Sequence, residues 1–427
     1  MVVLAIIPKI KEIDMQGKDT IKSTFVQLFE PIFSKNFHKL LQKLEVDKYV
    51  KKLTACKFVV LMIFAQLEQL TCLREISSSF HNNEFSNAIK LESISYSQIS
   101  RKLRSLTLKT VQYLFQDLVR QTGKQTGFKP IRERLGRLYL IDSSTISLCL
   151  TRYHWASFRK TKAGIKLHLR LRLFDQGVLP DAATITPAKK ADKTQMDDLI
   201  VEEAGAFNVF DRGYIDYQKF DDYCEKGILF ASRLKKNALV EVIKELAPGR
   251  MIKRDSIVIL GKDGLTRMHH PLRIIETTDT EGNPVVILSN NFTLTAKEIG
   301  DIYRYRWQIE LFFKWIKQHL HVKHFYGLSQ QAVEMQLYVA LITYCLLKLI
   351  QLKTGYKGPL LQIQRLLNTC LYEPFSCFVR KLYRRAKRTS QGRRKVDHER
   401  IYQETLRQVM AGEADHLDDL TYDPVIL

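Results

Sequence analysis

The chain is short of paired cysteine, of tryptophan and of negative charge. Its seven cysteines (Cys56, Cys72, Cys149, Cys224, Cys345, Cys370, Cys377) are odd in number and form no C-x2-C pair. That excludes a disulfide framework and a cysteine-ligated zinc site, and fits scattered core thiols of a cytosolic protein. Only Trp155, Trp307 and Trp315 supply indole rings. No long apolar run reads as a membrane span. The opening Met1–Ile7 is too short and is followed by charged residues with no small-residue cleavage site, and Leu337–Ile350 reads as a buried helix carrying Tyr344 and Lys348. Acidic residues number 45 against 67 Lys and Arg, a net charge of +22 over 427 residues. With 45% apolar residues the chain is no disordered basic tail. So basic a folded chain points to a polyanion, nucleic acid or an anionic membrane surface, and nothing in the sequence supports the membrane.

The length predicts two to three domains. Residues 1–20 form an extension, in which Met15 is an alternative start. Residues 21–125 are predicted helical, with Leu73-Arg-Glu-Ile and Ser97-Gln-Ile-Ser-Arg-Lys-Leu-Arg as a helix pair. The second helix offers Gln98, Arg101, Lys102 and Arg104 to bases and phosphates if the pair is a helix-turn-helix; the alternative is a helical bundle with a basic surface. The polar, Gly- and Pro-broken stretch 123–134 is the boundary. Over 135–352 the expected class is α/β. Arg137–Asp142, the strictly alternating Ile165–Phe174 and the returning Val178–Pro187 read as three strands. A helix at Asp192–Ala204, the strand Phe207–Asp211, a further helix and the strand Gly227–Arg233 follow, the order of a ribonuclease H-like sheet. Residues 238–295 read as a β-rich insertion, and 353–427 as a basic helical region with a dense basic segment at 380–395 and an acidic end.

A helix expected over 302–320 carries Tyr303, Arg306, Glu310 and Lys317, spaced Y-x2-R-x3-E-x6-K. At helical periodicity the four fall within about 60° of one another, beside an apolar face of Ile302, Ile309, Phe312, Phe313, Ile316 and Leu320. One carboxylate flanked by two cations and a phenol suits a phosphodiester beside a metal ligand. A solvated, salt-bridged face is the other reading. Asp142 and Asp211 each end a short apolar strand; alone, either is an ordinary turn or cap residue. Together with Glu310 they give three hard oxygen ligands without His or Cys, which suits Mg2+ or Mn2+. A pair of such ions supports in-line displacement at phosphorus.

Asp142 in Leu-Ile-Asp-Ser-Ser, Asp211 in Val-Phe-Asp-Arg-Gly-Tyr and the complete Y-x2-R-x3-E-x6-K resemble the DDE transposases of bacterial insertion sequences that carry the Tyr-Arg-Glu-Lys (YREK) signature, the IS-four family. The resemblance covers roughly 20 to 350. It implies a ribonuclease H-like catalytic domain with a β-strand insertion before the glutamate, preceded by a helical DNA-binding domain. It implies Asp142, Asp211 and Glu310 as catalytic ligands of two Mg2+ (or Mn2+) ions. Tyr303, Arg306 and Lys317 would hold the terminal phosphates of the transposon end, near a nucleotide flipped out during hairpin chemistry. The implied partners are double-stranded DNA, as terminal inverted repeats and target, and a second copy in a synaptic homodimer; the implied location is the bacterial cytoplasm, at the nucleoid. Members often supply a tryptophan from the inserted strands. Here none lies in 238–295, and Phe292 is the nearest substitute. Beside a cut-and-paste transposase stand a metal-dependent nuclease of the same fold without strand transfer, and a DNA-binding protein with a vestigial centre. His168, on the polar face of its strand, is a candidate to support Asp142 or a plain sheet-face histidine. Arg233, Lys235 and Lys236 are candidates to line a DNA path, and Asp181, Asp192, Asp197 and Asp198 crowd the region as further acids.

Overall fold

The computed structural model describes residues 22–384, apart from 236, 250, 251, 263, 265, 279–283, 321 and 323, together with 403–408. The 1–20 extension, Lys236, most of the basic segment 380–395 and the acidic end lie outside the described residues. Chain contacts divide the described residues into a helical unit (to Thr122, then His324–Gly327 and 331–384) and a sheet-bearing unit (Gly123–Lys323, Leu328–Gln330 and 403–408).

The helical unit holds α1 (Thr24–Phe29), α2 (Lys35–Lys43), α3 (Ala55–Leu67), α4 (Leu73–Ser78), α5 (Asn83–Ile89), α6 (Tyr96–Ser105) and most of α7 (Leu108–Thr126). α3 is apolar on every side and buries every residue but Lys57, the pattern of a core helix. Its one buried amide, Gln66, donates to the Gln336 carbonyl and accepts from Thr343 Oγ1, so no polar group is stranded. α4 and α6 do pack together, but α5 lies between them in the chain, so they are not a two-helix turn. Two of the four expected DNA readers are otherwise engaged. The Gln98 side chain closes a capping box with Ser95, and Lys102 is buried in an ion pair with Asp47 at 3.0 Å. Arg101 and Arg104 remain exposed.

The sheet-bearing unit is one ten-stranded sheet: β1 (Arg137–Leu148), β2 (Ser157–Arg159), β3 (Lys162–Phe174), β4 (Gly177–Pro187), β5 (Ala206–Phe210), β6 (Leu229–Arg233), β7 (Val240–Glu245), β8 (Arg254–Leu260), β9 (Leu272–Thr278) and β10 (Pro284–Ser289). β1, β3 and β4 are joined antiparallel, and β5 and β6 follow parallel to β1. The order β4-β3-β1-β5-β6 is the ribonuclease H-like arrangement. The insertion adds to the same sheet, β10 pairing antiparallel with β6 and leading out through β9 and β8 to β7. β7 escapes the sequence pattern because all six of its residues are exposed, so it shows no buried alternation.

Two glycines set the level of the central strands. Gly136 has φ +68°, and a Cβ there would lie 2.7 Å from the Gly205 carbonyl, which itself accepts from Arg137 N. From that start β1 and β5 run in register from Arg137↔Ala206 to Ile141↔Phe210. Asp142 and Asp211 are therefore the next residues beyond the last paired rung, on strands buried on both faces. Asp142 is not at a free strand end, because β1 continues along β3 as far as Leu148.

α8 (Met196–Leu199) and α9 (Tyr217–Glu225) connect the strands. The helix expected over Asp192–Ala204 is only a 3₁₀ turn at Asp192–Gln195 followed by the four-residue α8. The ten residues of 302–320 that matter are likewise split: α10 (Ala296–Arg304) ends, Tyr305 and Arg306 make a tight turn with i−3 hydrogen bonds, and α11 (Trp307–His319) restarts. α10 begins with a capping box of Thr295 and Glu298. Just before it, the Leu294 carbonyl accepts from Arg273 Nη1 at 2.6 Å, while Arg273 Nε and Nη2 grip both oxygens of buried Asp255. The insertion is thereby tied to the start of α10. The chain then passes back to the helical unit as α12 (Gln330–Thr354), α13 (Leu360–Cys370) and α14 (Phe375–Leu382). α12 is long and apolar enough to cross a membrane by length and composition, and 89% of its apolar window is buried within the protein.

Candidate active site

α11 packs on β1, bringing Glu310 from its first turn towards Asp142. Arg306, in the turn ahead of α11, joins the two: its Nη1 donates to Asp142 Oδ2 at 2.9 Å and to Glu310 Oε1 at 2.7 Å. The guanidinium is only 6% exposed and lies over the Trp307 ring, 4.7 Å from its centroid. Asp142 Oδ1 accepts from the Ser143 backbone N–H at 2.7 Å. Asp211 stands at the head of a 3₁₀ turn, but its side chain caps nothing there, which removes the helix-cap reading.

The three carboxylates sense one another. Burial pushes Asp142 up to about 6; the Arg306 charge and the Ser143 N–H oppose this, and Asp211 and Asp192 add to it. Burial pushes Glu310 up to about 7, again opposed by Arg306 and reinforced by Asp142 and Asp211. Asp142 and Glu310, whose burial works against their charge, are short of positive charge. All their donor atoms are hard oxygens. That chemistry fits a divalent ion of the Mg2+ or Mn2+ kind. Among the described residues no three His, Cys, Asp or Glu side chains converge as a ready-made cage. The cation shared by Asp142 and Glu310 is the arginine.

The other expected residues divide. Tyr303 lies in the last turn of α10, 5% exposed, its phenol pushed up to about 12 by burial. Arg233, at the end of β6, is near enough to act on that phenol. Lys317 is half-buried on α11. The stripe is thus not a solvated face, since Tyr303 and Arg306 are interior. Phe292 is half-exposed in the segment between β10 and α10. His168 is not on an open polar face: it is fully buried, its Nε2 within 2.9 Å of Thr186 Oγ1, and burial pulls it down to about 4.

Of the four further acids, Asp192 belongs to this site. Its Oδ1 accepts from Ser143 Oγ at 2.7 Å and from Lys166 Nζ at 3.0 Å, and its Oδ2 approaches the position of a Cβ on Gly213. It therefore braces the residue after Asp142 against the turn after Asp211. Below it the Tyr214 ring is buried, its phenol held protonated by burial and by the charges of Asp142, Asp192 and Asp211. Asp181 is instead paired with Arg170, and Asp197 with Lys219. The sequence signal for Asp192 is Lys166 on the polar face of β3, whose ammonium it pairs with at 3.0 Å.

Comparison with known proteins gives concordant matches. The family described as Transposase DDE domain matches residues 133–346, and a Domain of unknown function (DUF4372) matches 20–85. A putative transposase y4zB of Sinorhizobium fredii is 32% identical over 252 residues, 57% of this chain and 68% of that protein. A probable transposase for insertion sequence element IS5377 of Geobacillus stearothermophilus is 28% identical over 289 residues, 65% of this chain and 73% of that protein. The piggyBac transposase synaptic complex with hairpin DNA aligns over 92% of this chain and 86% of that one, at 11% identity and a TM-score of 0.41, too slight a likeness to extend the topology above.

Proposed function

Because the chain belongs to the Transposase DDE domain family, we propose that it cuts the ends of an insertion sequence and joins them to target DNA through Asp142, Asp211 and Glu310. Its activity is that of a DNA transposase, DNA is its partner, and the family depends on divalent metal. The observation that carries the assignment of residues is geometric: Arg306 Nη1 bonds Asp142 and Glu310 together, and the β1–β5 register sets Asp211 level with Asp142. Asp142, Asp211 and Glu310 would hold two Mg2+ or Mn2+ ions. When bound, such a pair activates an attacking water or 3′-hydroxyl and stabilises the leaving oxygen.

The protein's own groups do the rest. β1 and β5 fix the two aspartates at one level, and α11 brings the glutamate across. Tyr303, Arg306 and Lys317 orient the terminal phosphates of the transposon end, the arginine and lysine by charge and the phenol by hydrogen bonding. Phe292 is the exposed aromatic available to a flipped base. Cleavage at two ends calls for two copies of the chain, one per end, in a synaptic homodimer.

The test is to incubate the full chain with labelled DNA carrying the terminal inverted repeats that flank its gene, with Mg2+ and a target plasmid. Cleavage at the repeat boundary followed by joining is the expected result. Cleavage without joining selects the nuclease, and binding without metal-dependent cleavage selects the vestigial protein.

A further inference from the structure

Among the described residues two buried arginines, Arg273 and Arg306, meet carboxylates, and they do so in opposite ways. Arg273 is a fully committed structural arginine. Its Nε and Nη2 grip the two oxygens of Asp255, and its Nη1 is spent on the Leu294 carbonyl. This is the side-by-side fork that arginine makes with a single carboxylate.

Arg306 has none of that. One nitrogen, Nη1, is shared between oxygens of two different acids, Asp142 and Glu310. Its Nε is buried and has no hydrogen-bond partner. A buried N–H without an acceptor is costly, and a site built for stability would have supplied one. The guanidinium therefore serves two carboxylates as a charge, beside the Tyr303 phenol, while its Nε faces no acceptor. Both acids are residues assigned above to hold metal. Their common neighbour is thus a cation already.

We infer that Arg306 is a place-holder cation: in the DNA-free protein it neutralises and holds the pair Asp142–Glu310, and it is exchanged for divalent metal when the phosphates of a transposon end offer its donors new acceptors. The inference rests on the assignment of Asp142 and Glu310 as metal ligands and adds an order of events to it. Metal loading and end binding become linked, each favouring the other, because both draw on one arginine. A protein that holds its metal weakly until the right phosphates arrive has little capacity to cut other DNA.

The test reads metal rather than activity. Mn2+ alone is titrated into the full chain without DNA, with free Mn2+ followed by electron paramagnetic resonance, for the wild type, Arg306→Gln, Asp142→Asn and the double variant. Removing a positive charge that shares two carboxylates with an incoming dication is expected to tighten Mn2+ binding at least about tenfold in Arg306→Gln, even with solvent-like screening. The double variant should lose that gain. Arg306→Lys, which keeps the charge, should bind Mn2+ as weakly as the wild type. If Arg306→Gln fails to fold, Arg306→Met keeps the stem on Trp307 and serves in its place. Mn2+ binding in Arg306→Gln no tighter than in the wild type, with Asp142→Asn still weaker, overturns the place-holder and leaves the ligand assignment standing. Mn2+ binding indifferent to Asp142→Asn overturns the ligand assignment, and the inference with it.

Discussion

Replacing Arg273 by methionine removes the fork that ties the insertion to the start of α10. The stem volume is kept, so the loss is electrostatic. What remains is Asp255, 3% exposed, with both oxygens deprived of their donors, and a Leu294 carbonyl deprived of its partner. Breaking one half of a buried pair in this way costs about 3–5 kcal/mol. The double variant Arg273→Met/Asp255→Leu removes the stranded charge as well, and should recover most of that loss, because a buried pair contributes little net stability over apolar packing. All three tryptophans, Trp155, Trp307 and Trp315, lie in the sheet-bearing unit, so urea unfolding followed by their fluorescence reads this unit selectively. With a slope of roughly 2–3 kcal/mol per molar, the single variant should shift the midpoint down by more than about 1 M. A single-variant loss below about 1 kcal/mol, or a double variant no better than the single, would refute the reasoning.

Other perturbations separate structure from chemistry. Alanine at Asp142, Asp211 or Glu310 should abolish metal-dependent cleavage in a gel assay while DNA binding stays within a few-fold; a fully active variant would remove that residue from the ligand set. Lys102→Met should leave DNA affinity unchanged and lower stability, because Lys102 answers Asp47; Arg104→Ala, exposed on the same helix, should reduce the salt slope of DNA binding by about one if α6 touches phosphate. Gly136→Ala should destabilise by more than about 1 kcal/mol in urea, since it combines a left-handed φ with a clash on Gly205. For His168, held down at about 4 by burial, the unfolded chain takes up a proton below its ordinary 6.5 while the folded chain does not. Its share of stability is therefore complete above pH 6.5 and falls by about 3 kcal/mol towards pH 4. Comparing wild type with His168→Asn isolates it from Asp142 and Glu310, whose raised values act in the opposite direction; parallel pH profiles would contradict it.

Much of the sheet was legible because its residues alternate. Ile165, Leu167, Leu169, Leu171 and Leu173 announce β3, and the apolar run before each of Asp142 and Asp211 announces a central strand buried on both faces. The three acids proposed as metal ligands were singled out by their pattern and the family resemblance rather than by any local physics. What failed did so for identifiable reasons. Periodicity cannot see the turn at Tyr305–Arg306, since both residues keep right-handed helical dihedrals and only the hydrogen bonding tightens. It cannot distinguish a helix from the 3₁₀ turn at Asp192, where tertiary pairing with Ser143 and Lys166 decides the path. A basic residue on an amphipathic helix reads as surface, yet Lys102 turns inward to Asp47, 55 positions away. Such pairings belong to the fold.

The shared level of β1 and β5 restricts how this chain can change length. Five rungs separate the glycine-set start of the two strands from the two aspartates. One residue added to or removed from either strand would displace its carboxylate by about 3.3 Å and turn it to the opposite face. Between the strands no such counting applies: the β7–β10 excursion lies between Asp211 and Glu310 without entering the β1–β5 register that levels the aspartates. Insertions and deletions should therefore abolish cleavage at 137–142 and 206–211 and be tolerated in the turns of the excursion, away from its paired strands and the Arg273–Asp255 fork.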